Sequence, residues 1–243
     1  MDALATEPRR PTELAAVCGC ARETAQRTLA GFCNRGWVEK ADGRYQLTPG
    51  GEMVYDQYRE LVASVERADR LREFLTNAGE NVANVGNDVL DKLTVTTAAD
   101  GDPHAPIDRY LTILGDEPVA DFRGIAPIVS RLFNESAEDV LGPDTEMELI
   151  IDENVLERSK SEYASSLEHA HELEQFSLRI SENELDFGLL LVDGHGVVAS
   201  YDDHDNMVAL VDGDDEVVVD WVESLYETVR EYTVPIEQKL QVE

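Results

Sequence analysis

Residues 11–48, PTELAAVCGCARETAQRTLAGFCNRGWVEKADGRYQLT, leave this chain little freedom in how it folds. Pro11 suits the start of a short helix, Thr12 and Glu13 fill its first turn, and Leu14 and Val17 are its apolar positions. Gly19 stops it. A second helix is predicted from about Ala21 to Asn34, with Ala25, Leu29, Phe32 and Cys33 on one stripe. Arg22, Glu23, Gln26 and Arg27 lie off that stripe and are expected to face outward. After Gly36 the period shortens to that of a hairpin: a strand Trp37–Lys40, an Asp42-Gly43 turn, and a return strand Tyr45–Thr48.

Helix, turn, helix and hairpin in that order resemble the winged helix-turn-helix domains of prokaryotic transcription regulators. The helix that precedes the pair in such domains is reduced here to MDALATEP, so a short helix or a late start of the chain is expected. The resemblance implies that the second helix lies in the major groove of DNA. Arg22, Glu23, Gln26 and Arg27 would then meet base edges, with Thr24 near a phosphate. Arg44 at the wing, together with Lys40, is expected on the sugar-phosphate backbone or in the minor groove. The plain alternative is that these are ordinary solvated helix and hairpin residues.

Charge separates the chain into two parts. The 243 residues carry 20 Lys+Arg against 51 Asp+Glu, a formal net charge of −31. Residues 1–78 hold 11 basic and 12 acidic side chains, whereas residues 79–243 hold 9 and 39. Apolar periodicity persists to the end, which sets the chain apart from an acidic disordered tail. A carboxylate-rich surface of this kind suits a protein kept hydrated in concentrated salt. A near-neutral head on so acidic a chain is what binding to phosphates requires.

All three cysteines fall inside the helix pair. Cys18 and Cys20 flank the turn glycine, and Cys33 sits on the apolar stripe. Their spacing coincides with apolar positions that hold the two helices together, where free cysteine serves as a small hydrophobe. The competing reading is a thiol-based metal or redox sensor using Cys18, Cys20 and Cys33. An odd number of cysteines in one segment is no disulfide framework, and a reduced, cytoplasmic setting is expected. No apolar run is long enough to span a bilayer, and no membrane partner is expected.

From Gly50 to about Asn77 a single long helix is predicted. Val54, Tyr58, Leu61 and Val65 recur at alternating spacings of four and three, the seam of a helix pair. Packing within its own domain is one use of that seam. Dimerisation with a second copy is the reading preferred here, because the seam outlasts what a small head can cover. Residues 77–88, NAGENVANVGND, read as a loose connection.

Beyond it, strands and helices alternate. Strands are predicted at Leu93–Thr97, Glu146–Ile151, Phe176–Ile180, Phe187–Val192, Val197–Tyr201 and Met207–Val211. Helices are predicted at Ile107–Leu114, near Ile128–Phe133, at Val155–Glu172 and at Glu216–Tyr232. The fold class is therefore α/β: a winged helix-turn-helix over 1–49, a linking helix over 50–78, and an α/β effector domain with its own sheet over 79–243.

The stretches GDPHAPIDRYL, FRGIAPIVSRLF, DFGLLLVD and ALVDGDDEVVVDWVESLYETVREYT resemble the effector domain of archaeal methanogenesis-regulator-type transcription factors. That resemblance implies an archaeal regulator, and the acidic composition agrees with a haloarchaeal one. It also implies a fold related to phospholipase-D-like modules, although the His-x-Lys signature of those enzymes is missing.

His104 lies in a proline-flanked loop after a strand, where α/β proteins build ligand pockets, and with Arg109 and Arg123 it could hold an anionic effector. A structural loop is the alternative. His169 and His171, two apart on a helix, do not face the same way, and the acidic run YDDHD (201–205) reads as solvated surface. No metal site and no cofactor are expected. No nucleophile–base pair or phosphate loop points to an enzyme. The function expected is a homodimeric, sequence-specific DNA-binding transcriptional regulator acting on double-stranded DNA and modulated by an unknown small molecule. The alternatives are the thiol sensor and a protein-interaction adaptor that does not bind DNA.

Overall fold

A computed structural model describes residues 1–243 apart from 80, 81, 83, 84, 100, 165, 166, 168–172, 174 and 241–243. The chain divides into two units, Met1–Ala68 and Asp69–Glu243.

The first unit contains α1 (Asp2–Thr6), α2 (Pro11–Val17), α3 (Arg22–Asn34), β1 (Val38–Ala41), β2 (Arg44–Leu47) and most of α4 (Pro49–Arg70). Glu13 closes the start of α2 by accepting the Arg10 N–H at 2.8 Å. Past its end, Gly19 takes φ +61°, a conformation that sends the chain into α3. Leu4, Leu14, Leu29 and Val38 form the core, with Phe32, Cys33, Tyr45 and Leu47 packed on it. The helix reduced to MDALATEP is thus present as α1, and its Leu4 belongs to that core.

Asp42 and Gly43 both have positive φ, 51° and 78°, the geometry that a two-residue hairpin turn demands. The wing gains an edge that its sequence did not announce. Arg9 and Tyr45 exchange backbone hydrogen bonds of 3.0 and 2.8 Å, so the segment before α2 lies along β2.

The long helix expected to run unbroken to Asn77 stops at Arg70, and α5 (Arg72–Asn77) follows. The reason is burial. Leu71 and Phe74 are completely enclosed in the core of the second unit, and Leu71 leaves helical geometry at φ −96°, ψ 6°. Arg70 secures the bend by donating to the carbonyls of Leu90 and Leu93.

The second unit continues with α6 (Asn87–Leu90), β3 (Thr94–Thr97), α7 (Ala105–Leu114), β4 (Asp121–Ile125), α8 (Arg131–Asp139), β5 (Glu146–Asp152) and α9 (Glu153–Glu162). It ends with β6 (Phe176–Ser181), β7 (Phe187–Val192), β8 (His195–Tyr201), β9 (Met207–Gly213), α10 (Glu216–Arg230), β10 (Thr233–Pro235) and α11 (Ile236–Leu240). Among the described residues, ten strands are thus shared between the wing and one eight-stranded sheet, ordered β10-β6-β5-β4-β7-β8-β9-β3. β4, β5 and β6 are parallel, and the remaining pairings are antiparallel.

Helices cover both faces, which is why β7 is buried along its whole length and reads FGLLLV without alternation. One face meets α5, α6 and α10 through Ile125, Ile150, Leu189, Leu191 and Val198. The other meets α7 and α8 through Phe122, Met147, Leu190, Val197 and Leu210. Val155 and Leu156 of α9 pack with Leu178 and Ile180 toward the β5–β6 end.

The sequence reading missed β4, β10 and α11. It placed α8 too early, because Ser130 caps that helix by accepting from the Phe133 N–H at 3.3 Å. The helix read as Val155–Glu172 closes at Glu162, and much of its remainder, with His169 and His171, lies outside the described residues.

Candidate nucleic-acid interface and ligand pocket

Ala25 and Leu29 take the buried stripe of α3, while Arg22, Glu23, Thr24, Gln26 and Arg27 are all exposed. Among the described residues none of these five side chains forms a hydrogen bond or ion pair. Their donors and acceptors are free for an external partner, and the arrangement presents two arginines and a glutamine within two turns.

The wing residues differ from one another. Lys40 lies 5.8 Å from the centre of the Tyr45 ring and is otherwise exposed. Arg44 is already tied down, donating to the Pro8 carbonyl at 3.0 Å and to Glu13 Oε2 at 3.3 Å. The Arg10 N–H and the nearby Arg44, Arg10 and Arg9 charges hold Glu13 below the usual carboxylate range. Arg44 fastens the wing to α2.

The reading of three buried thiols needs correction. Cys18 is exposed, whereas Cys20 and Cys33 are half-buried. Cys18 stands one residue past the last turn of α2, outside the packed helix, while Cys33 packs on the core. On α4, Tyr58, Leu61 and Val65 are 55%, 62% and 54% exposed, which leaves an apolar face along that helix. Val54 is half-buried.

In the second unit His104, Arg109 and Arg123 do not converge. His104 is exposed at the start of α7. Arg109 grips Asp212 of β9 through Nε at 3.0 Å and Nη2 at 2.6 Å, and Asp212 also meets His195 Nε2 at 3.0 Å. Arg123 sits on the α10 side of the sheet, bonded to Glu223 at 2.6 Å and Asp121 at 3.1 Å. Both guanidiniums are neutralised by the protein's own carboxylates. In the YDDHD loop Asp202 accepts the N–H groups of His204 and Asn206, and Asp205 meets Arg158 at 3.6 Å. Among the described residues no group of three His, Cys, Asp or Glu side chains is placed to hold a metal.

What the sequence reading did not find is a cavity of about 160 Å³ between the sheet and α7, α8 and α9. Its floor is made by alternate residues of adjacent strands: Gly124, Leu149, Leu178, Gly188, Leu190 and Ala199. Glycine in a strand interior is the one legible signal, because it marks a place where another group approaches the sheet closely. A β-carbon at Gly188 would stand 2.7 Å from the Tyr201 hydroxyl, so only glycine admits that ring there.

Tyr110 from α7 packs edge-on to Phe133 of α8, 5.2 Å between ring centres, and both line the space with Tyr201. Burial raises the phenols of Tyr110 and Tyr201 far above the ordinary tyrosine value, with a further contribution at Tyr201 from Tyr110. Both stay protonated and neutral. Among the described residues neither hydroxyl has a hydrogen-bond partner.

A winged helix-turn-helix followed by an α/β unit of this kind defines a DNA-binding transcriptional regulator with a second functional unit. Residues 103–232 match the middle domain of the methanogenesis regulatory protein FilR1, and residues 1–70 match the HVO_A0261 N-terminal domain. The first match spans more than half of the 243 residues, and the chain belongs to that family of archaeal transcriptional regulators.

No curated protein matches the sequence. Among solved structures, the archaeal chromatin protein TrmBL2, whose structure is described as showing a novel mode of DNA binding, is 15% identical over 95% of this chain and 90% of its own, with a TM-score of 0.45. An IclR-family protein from Rhodococcus sp. is 16% identical over 91% and 85%, with a TM-score of 0.19. CalO1, a methyltransferase of calicheamicin biosynthesis, is 19% identical over 73% and 56%, with a TM-score of 0.20. No helix among the described residues is long and apolar enough to cross a membrane.

Proposed function

We propose that this regulator binds double-stranded DNA as a homodimer through α3, and that a small molecule held by its second unit modulates that binding. The observation that carries the first part is the exposed, unpartnered row Arg22, Glu23, Thr24, Gln26 and Arg27. An arginine or glutamine without an internal partner can make bidentate contacts with guanine or adenine in the major groove. The near-neutral charge of residues 1–78 supports the same reading, because the acidic remainder would repel phosphate. Exposure of Tyr58, Leu61 and Val65 supports pairing of two copies along α4. The reading gives the second unit a regulatory role rather than a catalytic one, in a cytoplasmic, salt-adapted protein.

The test is DNA selection from a random pool followed by gel shifts in potassium-rich buffer. Replacing Arg22 or Arg27 by Ala should cost about 1–3 kcal/mol at the selected site and relax sequence preference there. Absence of any DNA binding by the wild-type protein would favour the adaptor instead.

A further inference from the structure

The cavity under α7, α8 and α9 has two properties that together define a ligand class. Its lining is mainly apolar, and the hydroxyls of two of its tyrosines, Tyr110 and Tyr201, have no partner among the described residues. Both tyrosines are half-buried, and among the described residues no fully buried side-chain polar atom lacks a partner, so these two hydroxyls are accessible and can donate to an occupant that offers an acceptor.

The charge of the described lining disfavours an anion. Among the described residues that line it, Glu138 is the one ionisable side chain apart from the tyrosines, and none is a lysine or arginine. An anionic ligand would meet the Glu138 carboxylate and no cation among the described lining residues. The arginines that could have served an anion, Arg109 and Arg123, are spent on Asp212 and Glu223.

Size narrows the class further. An apolar cavity of about 150 Å³ accommodates benzene. The volume of about 160 Å³ found here suits one ring with a small substituent. The Tyr201 ring lies over Gly188 and the Leu149 and Phe122 side chains over Gly124, while Ala199 adds only a methyl group to the floor.

We infer that this cavity is the effector site and that it takes a small, uncharged, predominantly apolar ring compound whose oxygen acceptor is hydrogen-bonded by Tyr110 and Tyr201. The inference rests on the reading that the second unit holds an effector, and it replaces the anion expected at His104, Arg109 and Arg123 with a neutral molecule at a different place.

The experiment titrates the full chain in molar potassium chloride with methyl benzoate, benzoate and toluene, observed by calorimetry and by ligand NMR. Methyl benzoate and toluene should bind saturably, and benzoate at least tenfold more weakly than its ester. Ala199→Leu, which fills the floor, should weaken both neutral probes at least tenfold while the circular dichroism spectrum is kept. Tyr110→Phe/Tyr201→Phe should weaken methyl benzoate about three- to tenfold and leave toluene unchanged, because toluene has no acceptor. This second variant preserves ring packing and serves if Ala199→Leu does not fold.

Failure of both neutral probes to saturate, benzoate binding as tightly as the ester, or Ala199→Leu binding like wild type would each overturn the inference. Gel shifts with and without saturating methyl benzoate read the regulatory coupling separately. If the ester binds the cavity and DNA affinity is unchanged, the ligand class stands and the modulation of DNA binding falls.

Discussion

Arg109 on α7 lays its guanidinium along the carboxylate of Asp212 on β9, with contacts of 3.0 and 2.6 Å, and Asp212 is 1% exposed. The hydrogen bond to Asp212 leads in raising the Arg109 pKa, although burial opposes it. Removing one member of a buried pair costs about 3–5 kcal/mol where it strands the other, and less where the removed side chain is partly solvated or, as here, His195 remains 3.0 Å from the carboxylate. The Arg109 side chain is 35% exposed. Arg109→Met should therefore destabilise the second unit by ~2–3 kcal/mol, whereas Arg109→Met/Asp212→Leu should recover most of that loss. Guanidinium unfolding of the two variants beside wild type checks this, and a double variant no better than the single would show that the stranded charge is not the cause.

Gly50 and Gly51 stand side by side in the first turn of α4 and predict opposite outcomes. A β-carbon on Gly51 would lie 1.8 Å from the Trp37 carbonyl oxygen, a backbone atom that cannot swing aside. At Gly50 the nearest atom would be the Thr48 hydroxyl at 3.8 Å. Gly51→Ala should cost the head ~2–3 kcal/mol through forced displacement of α4 from β1, while Gly50→Ala should stabilise it by up to ~1 kcal/mol. Scanning calorimetry of the full chain, following the transition of the head, separates the two.

Acid should weaken the second unit through Glu148. Burial pushes its carboxyl up, but hydrogen bonds from Arg230 and Tyr226 and the charges of Arg230 and Arg179 outweigh burial and hold it below its ordinary value of 4.5. With the folded value depressed, the unfolded chain takes up the proton first. The stabilisation is complete above the unfolded value and is lost as pH falls through the folded one. The stability difference between wild type and Glu148→Gln should be constant near neutrality and shrink below about pH 4. Comparing the two proteins at each pH cancels the general effect of protonating so acidic a surface. A difference independent of pH would mean that Glu148 acts by packing alone.

The apolar face of α4 predicts an oligomeric state. Leu61 is 62% exposed between Tyr58 and Val65, so Leu61→Glu should leave the head folded while placing a charge in the seam. Sedimentation in molar potassium chloride should give a dimer for wild type and a monomer for the variant. Paired α3 helices would then meet half-sites about 34 Å apart, and the variant should bind such sites poorly. A monomeric wild type would defeat the proposal.

Within residues 11–48 each element follows from its neighbours: Pro11 and Gly19 bound α2, the apolar stripe of α3 repeats at helical spacing, and Asp42-Gly43 closes the wing. Contacts there are short along the chain, so pattern alone located the helix pair, the hairpin and the outward row from Arg22 to Arg27. Even so, the burial of a particular thiol depended on where α2 ends, and Cys18 fell just outside it. In the second unit, runs such as FGLLLV declared strands by composition, but not their order in the sheet. Arg109 looked like a free cation because its partner, Asp212, lies 103 residues further on. The continuous helix was divided because the core of the second unit encloses Leu71 and Phe74, which local helix propensity does not register. The phenol-edged cavity follows the same logic. Gly124 and Gly188 are visible in the sequence as glycines within strands, yet only the sheet register and the packing of α7, α8 and α9 bring Tyr110 and Tyr201 to one space above them, because side chains distant along the chain share a cavity only after the layers have closed.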